Sequence, residues 1–504
     1  MSVLSTPCPA VVPASHGAAG WAPAWLAAAL VCLARAPYLT APATPDEGGF
    51  LLVASQWRPG TSLYGDYWVD RPPLLLVVHG VAAGLGGVVA LRAIGLVAVT
   101  ASVFLAVSIA RQAGVRSTAP VVIAAAFLTT PLFGALEIDG ELLAVPLVLA
   151  GVLALVRACT ADTQETTAAD VARWAAAAGA AAAGAAMIKQ NAVDVFVVAV
   201  VLLATARTRS RVRAGRLGVL FLSGAAATTL AVLGYAALRG TGPSGLWDAV
   251  VSFRLQAASV IRSSASDATP RRLVTLTQAA VLSAAPLVIG VMTLRAAGAC
   301  EAAGADVGGV GGIGRVPDLR WPALALLGWE VASIAGGGSF WLHYLVVLVP
   351  GMVLAAVAAG QRPARLRRTT IVALTVAVVS GAVSLMTVSY LPSANGSDAK
   401  VARYLTAHAT RGDTAVVAFG HPDILWDAGL SSPYPELWSL PVRVRDPRLA
   451  EFGAVLASPR APTWVVVNGT GLATWGVDAT SAQQTLDARY HPVAAEGSYV
   501  IWRR

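Results

Sequence analysis

Long apolar runs separated by short polar connections dominate the chain, as at Trp25–Ala34, Val121–Leu128, Val193–Ala204 and Ile371–Val379. A helix of about 20 apolar residues crosses a bilayer. The runs predict eleven spans, at roughly 22–40, 90–110, 118–136, 142–158, 173–189, 192–206, 217–238, 273–294, 321–338, 344–361 and 370–391. Neither a secretory signal nor a single anchor gives such a pattern. A further apolar stretch, Pro72–Gly87, opens with a charged pair and a double proline and carries His79; it is expected to lie at the membrane surface rather than cross.

After Tyr390 the pattern changes. Two β-rich runs, Thr414–Phe419 and Thr463–Val467, a closing SYVIW segment and a helical stretch Asp398–Ala409 predict a small α/β unit. The expected organisation is an N-terminal tail (1–21), an all-α polytopic membrane domain (22–391) and an α/β domain (392–504).

Composition agrees with membrane burial. Of 504 residues 56% are hydrophobic and only 12% charged, against about 25% charged in soluble proteins. The net charge of +9 does not point to nucleic acid, because the arginines sit in short clusters between apolar runs. Arg207, Arg209, Arg211, Arg213 and Arg216 form one cluster, Arg362, Arg365, Arg367 and Arg368 another, and Arg111 and Arg116 a third. With eleven spans all three fall on one side, which the positive-inside rule makes cytoplasmic. The N-terminus is then cytoplasmic and the C-terminal unit extracytoplasmic, in a multi-pass protein of the cytoplasmic membrane. Cys8, Cys32, Cys159 and Cys300 lack metal-ligand spacing. The GGVGGIG stretch within 296–316 has no preceding strand and no phosphate-binding lysine, so it reads as a linker.

On this topology the polar residues gather at the outer helix ends. The first outer loop carries Asp46, Glu47, Asp66, Asp70 and Arg71. The second, LEIDGE, holds Glu137, Asp139 and Glu141; the turn IKQN holds Lys189, and FWLHY holds His343 and Tyr344. Single carboxylates at a bilayer edge are usually just solvated. Acidic and basic groups converging from several loops can instead hold a sugar and a phosphate beside a hydrophobic groove.

These segments, PDEGGF, GDYWVDRPPLL, EIDGELLAVPL, IKQN and HYLVVLVP, resemble in order the motifs of the GT-C glycosyltransferases of the protein mannosyltransferase and aminoarabinose transferase type. Arg71 stands where that family usually has lysine, which keeps the charge and allows a bidentate grip on phosphate. Gly48 and Gly49 replace polar residues common after the acidic pair.

The resemblance implies transfer of a sugar from a polyprenyl-phosphate-linked donor to a glycan, lipid or protein hydroxyl. Asp46, with Glu47 second, would serve as general base. Arg71 and Lys189 would steady the leaving phosphate. Asp139, with Glu137 and Glu141, would orient sugar hydroxyls or hold a divalent ion, Mg or Mn; a salt bridge from Asp139 to Arg71 or Lys189 is the plainer alternative. His343, Tyr344 and Asp66 are expected in the lipid groove or on the acceptor side, with interfacial packing the plainer reading for His343 and Tyr344. Glu330, in mid-span, is costly there and is assigned to the same region, with a neutral carboxyl or a pairing across helices as the other readings. The segment Arg239–Arg272 is expected to be an outer loop. A transporter or lipid-sugar flippase is the rival reading, and the absence of an internal repeat counts against it.

Overall fold

In hydrocarbon a chain must satisfy its own backbone groups, and the apolar runs do so as helices. The computed structural model of the protein describes residues 18–55, 63–160, 167–207, 211–263, 268–298, 316–363, 366–390, 396–473 and 476–504. Most of the glycine-rich linker expected at 296–316, with its GGVGGIG motif, lies outside these.

Six described helices are long and apolar enough to cross a membrane: Val88–Gln112, Gly140–Thr160, Ala168–Ile188, Arg211–Leu238, Leu342–Gly360 and Arg367–Val388. A pair bent by 59°, Ala268–Leu282 and Ala285–Ala297, makes a seventh if taken as one span. The remaining expected spans differ for local reasons. The run at 118–136 gives only the helix Ala119–Phe127, followed by a 3-10 turn at Pro131–Phe133, because proline cannot continue the hydrogen-bond ladder. The helices Ala22–Arg35 and Asp194–Arg207 are both 14 residues long. Arg320–Gly337 has the length but carries Arg320 and Glu330, which lower its hydropathy.

Gly140–Thr160 and Leu342–Gly360 form the centre of the bundle, while Arg211–Leu238 and Arg367–Tyr390 turn most of their apolar surface outward. Exposed Leu222, Leu230, Val372 and Val383 lose nothing in a lipid solvent. Helix association there relies on close backbone approach at small residues. Gly179 and Gly224 supply it: a Cβ on the first would overlap the carbonyl of Phe221, and on the second that of Ala176.

The C-terminal unit is built on a four-stranded sheet of order β1-β2-β4-β3. Here β1 is Ala415–Ala418, β2 Trp464–Asn468, β3 His491–Glu496 and β4 Tyr499–Arg503. β1 runs parallel to β2, with Ala415 opposite Trp464, and the other pairs are antiparallel. The inner strands are largely apolar because helices cover both faces; Phe452 packs edge to face on Phe419 and Tyr434 beside them. The unit docks on the membrane domain. Trp68 N–H donates to the Pro435 carbonyl (3.1 Å), Ser432 N–H donates to the Tyr67 hydroxyl (2.8 Å), and Arg445 pairs with Asp248 (2.9 Å).

The segment expected as a loop at 239–272 is largely helical, through Pro243–Trp247, a π turn at Asp248–Ser252 and Phe253–Ser263. Phe253 is buried against Trp68, with ring centroids 4.2 Å apart. That burial supplies the stabilisation a polar loop would lack.

Candidate active site

The helix Pro45–Ser55 places the acidic pair. Thr44 caps it: Glu47 N–H donates to Thr44 Oγ1 (3.4 Å) and Thr44 N–H donates to Glu47 Oε2 (3.1 Å), the reciprocal arrangement of a capping box. The two acids then part. Glu47 is fully buried and ion-paired to Arg92, with Nη2–Oε2 at 2.7 Å and Nε–Oε1 at 3.2 Å. Its Oε1 also accepts from Ile138 N–H (3.1 Å). Arg92 in turn donates to the carbonyls of Tyr38, Ala41 and Pro42. Glu47, expected as the second candidate base, is thus engaged in tying the start of the helix Pro45–Ser55 to Arg92 and Ile138. Asp46 is half-buried and accepts a single hydrogen bond from the Trp438 indole at Oδ1 (3.0 Å).

The close approach that brings Trp438 there depends on Gly48 and Gly49. A Cβ on Gly48 would stand 2.5 Å from the Asp423 Cα, and one on Gly49 would overlap the Trp438 ring and Pro422. Larger polar residues do not fit while the C-terminal unit is seated.

Arg71 lies over the Phe50 ring (5.3 Å) and pairs with Asp70 Oδ1 (2.6 Å). Asp70 Oδ2 pairs with Arg254 (2.6 Å), so one carboxylate aligns two guanidinium groups. Lys189, at the end of Ala168–Ile188, pairs with Glu141 at 2.7 Å and faces the Tyr344 ring. Neither Arg71 nor Lys189 takes Asp139 as its ion-pair partner, in contrast to the plainer alternative read from sequence. Asp139 instead faces His343, with Nδ1–Oδ2 at 3.4 Å, and Glu137 stands 3.9 Å from the same nitrogen. Burial, reinforced by Glu141, holds the Asp139 carboxyl well above the usual carboxylate range. Glu137 sits at the rim with a partly exposed side chain; the low-polarity surroundings, with Asp46 and Glu47 adding to them, push it up to about 8.

Electrostatics tie these groups into one site. Arg71 interacts with Asp46 and Glu141, and His343 with Glu141, Lys189, Asp46 and Arg71. A cavity lined by Glu141, Lys189, Asn191, Asp194, Val347 and Pro350 opens from this cluster into the bundle.

Two expected site residues stand outside this set of ion pairs. Asp66 is exposed on its loop. Glu330 is fully buried between helices, where Oε1 accepts from Gly351 N–H (2.8 Å) and Asp194 is the neighbouring carboxyl. Sequence reading missed Arg92, Arg254, Asp194 and Trp438. Arg92 and Asp194 carried a signal, as charges within apolar helices, whereas nothing in the sequence ties Trp438 to Asp46.

Glu137, Asp139 and His343 each offer a ligand atom, and these atoms lie within 4.8 Å of one another. The buried Asp139 Oδ2 makes no hydrogen bond in this arrangement. This oxygen-rich set with one imidazole fits a divalent cation such as Mn²⁺.

No family model matches the chain, and no curated protein matches its sequence. Its three-dimensional structure is similar to that of ArnT from Cupriavidus metallidurans bound to undecaprenyl phosphate, with a TM-score of 0.62 and 15% identity over 96% of this chain and 98% of that one. It is also similar to the Archaeoglobus fulgidus oligosaccharyltransferase tethered to an acceptor peptide, with a TM-score of 0.57 and 12% identity over 95% of this chain and 72% of that one. A third similarity is to the arabinofuranosyltransferase AftD from Mycobacteria, with a TM-score of 0.54 and 15% identity over 98% of this chain but only 42% of that one. The chain has the GT-C fold, that of membrane-embedded glycosyltransferases.

Proposed function

We propose that the protein transfers a sugar from a polyprenyl-phosphate-linked donor to an acceptor hydroxyl at the outer face of the cytoplasmic membrane. The carrying observation is the convergence of Asp46, Arg71, the Lys189–Glu141 pair and the Asp139–His343 pair from separate loops into one site. The likeness to a transferase bound to undecaprenyl phosphate supports a lipid phosphate as the carrier.

In this reading Asp46 removes the acceptor proton. Trp438 occupies Oδ1 and leaves Oδ2 for the hydroxyl. The acceptor oxygen bonds to the anomeric carbon as the bond from that carbon to the carrier phosphate breaks, and the electron pair leaves on the phosphate. Arg71 and Lys189 meet that charge. Both are already held in place by carboxylates, so little reorganisation accompanies the reaction. Glu137, Asp139 and His343 would hold a divalent cation, which when bound supplies further positive charge near the departing phosphate.

The test is Asp46→Asn in membranes supplied with radiolabelled polyprenyl-phosphate sugar. General-base assistance contributes about 10² to 10⁴-fold, and transfer should fall within that range while the protein still inserts and folds. Undiminished transfer would remove Asp46 from this role.

A further inference from the structure

Away from the membrane cleft, the C-terminal unit brings together Asp398, His421 and Asp423, whose ligand atoms lie within 4.8 Å of one another. Asp398 comes from the helix Gly396–His408, and the other two flank the turn between β1 and the helix Asp423–Ala428. We propose that these three residues form a structural binding site for a transition-metal ion of the zinc class.

Several observations favour a cation. Asp398 is 5% exposed and Asp423 1% exposed, yet among the described residues no arginine or lysine pairs with either. Two buried carboxylates side by side need a counter-charge. Asp423 Oδ1 is buried without a hydrogen-bond partner. The site is also held in position from outside. Tyr499 donates to Asp398 Oδ1 (2.8 Å), the kind of outer contact that orients a ligating carboxylate. His421 Nδ1 is hydrogen-bonded to Asp398 Oδ2 (3.0 Å), a contact the ion would replace at a spacing near the roughly 3.3 Å that an N and an O ligand keep on a tetrahedral zinc with bonds of about 2.0–2.1 Å. The His421 side chain is 26% exposed, which gives an ion a route in and leaves a fourth position for water.

The location gives the ion a task. Asp423 Cα rests against Gly48, two residues after the residue assigned above as base. An ion joining Asp398, His421 and Asp423 would fix that turn against the helix Gly396–His408, and so stiffen the part of the unit that presses on Pro45–Ser55. The alternative occupant is a proton shared between Asp398 and Asp423.

The experiment uses the full chain in detergent, stripped with chelator and dialysed against Zn²⁺. A His343→Gln background removes the other ligand cluster. Elemental mass spectrometry should find about one zinc per chain in this background, and close to none when Asp423→Asn or His421→Gln is added. Zinc should raise the thermal midpoint of the background protein and leave those of the two double variants unmoved. Asp423→Asn is nearly isosteric and decides the matter should His421→Gln fail to fold. Equal zinc content with and without Asp423→Asn would overturn the site, as would a background protein that retains no zinc. A shared proton predicts that Asp423→Asn leaves zinc content unchanged, and that result too would overturn it.

Discussion

At the scale of single residues, the acidic pair shows how adjacent carboxylates acquire different tasks. Glu47 is enclosed with Arg92, and removing one partner of a buried ion pair leaves an uncompensated charge at a cost of about 3–5 kcal/mol. Glu47→Gln should therefore lower stability by that order in chemical unfolding, whereas Asp46→Asn should leave it nearly unchanged and lower transfer by about 10² to 10⁴-fold. Equal stability losses would show that the two residues share one structural role. The sequence displayed both acids but could not divide them, because Arg92 lies 45 positions away and reaches Glu47 only through the fold. At the neighbouring cluster the sign of a pH effect follows from burial. Asp139 and Glu137 hold their protons above the ordinary carboxylate range, Glu137 up to about 8, and a cation must displace those protons. Mn²⁺ affinity measured by electron paramagnetic resonance in a His421→Gln background should rise between pH 6.5 and 8.5 and level off above. Affinity falling with pH would contradict the assignment.

At the scale of elements, the apolar runs were legible as helices, and their ends and breaks were not. The span expected at 273–294 is two helices bent at Ser283–Ala284, where Ala284 takes φ 61°, a conformation that no hydropathy pattern signals. The helical character of 243–263 depends on Phe253 meeting Trp68, a contact across the fold. The two glycines after the acidic pair were visible as departures from the family motif, but their reason appears only once the C-terminal unit is seated on Pro45–Ser55. That contact is testable. A methyl at Gly48 meets the Asp423 backbone at 2.5 Å, and backbone cannot rotate away as a side chain can. Gly48→Ala should cost about 1–3 kcal/mol through overpacking and loosen the docked unit, seen as faster proteolysis within 421–438. Wild-type protease resistance would mean the contact does not hold the unit.

For the whole molecule, the decisive feature is that the arginine-rich helix ends and the candidate site lie at opposite ends of the bundle. Gln112 bonds Thr160 (2.7 Å) and Arg213 the Cys159 carbonyl (3.2 Å). Arg295 bonds Thr370 (2.9 Å), Arg362 pairs with Asp318 (2.6 Å), and Gly360 packs on Val115. These contacts gather the ends of several helices, with the arginine-rich connections, at one side. Asp46, Arg71, Asp139, Lys189 and His343 occupy the other, beneath the C-terminal unit. Positive charge is retained in the cytoplasm during insertion, so the site and the C-terminal unit should face outward, where a lipid-linked sugar would be met without crossing the membrane. Alkaline phosphatase, active only outside the cytoplasm, should be active in a bacterial host when fused after Arg504 and inactive when fused after Arg362. A green fluorescent protein fused at the same points should give the reverse. Activity of the Arg362 phosphatase fusion would turn the molecule over, place Asp46, Arg71 and Lys189 in the cytosol, and remove the basis for the proposed outward-facing transfer.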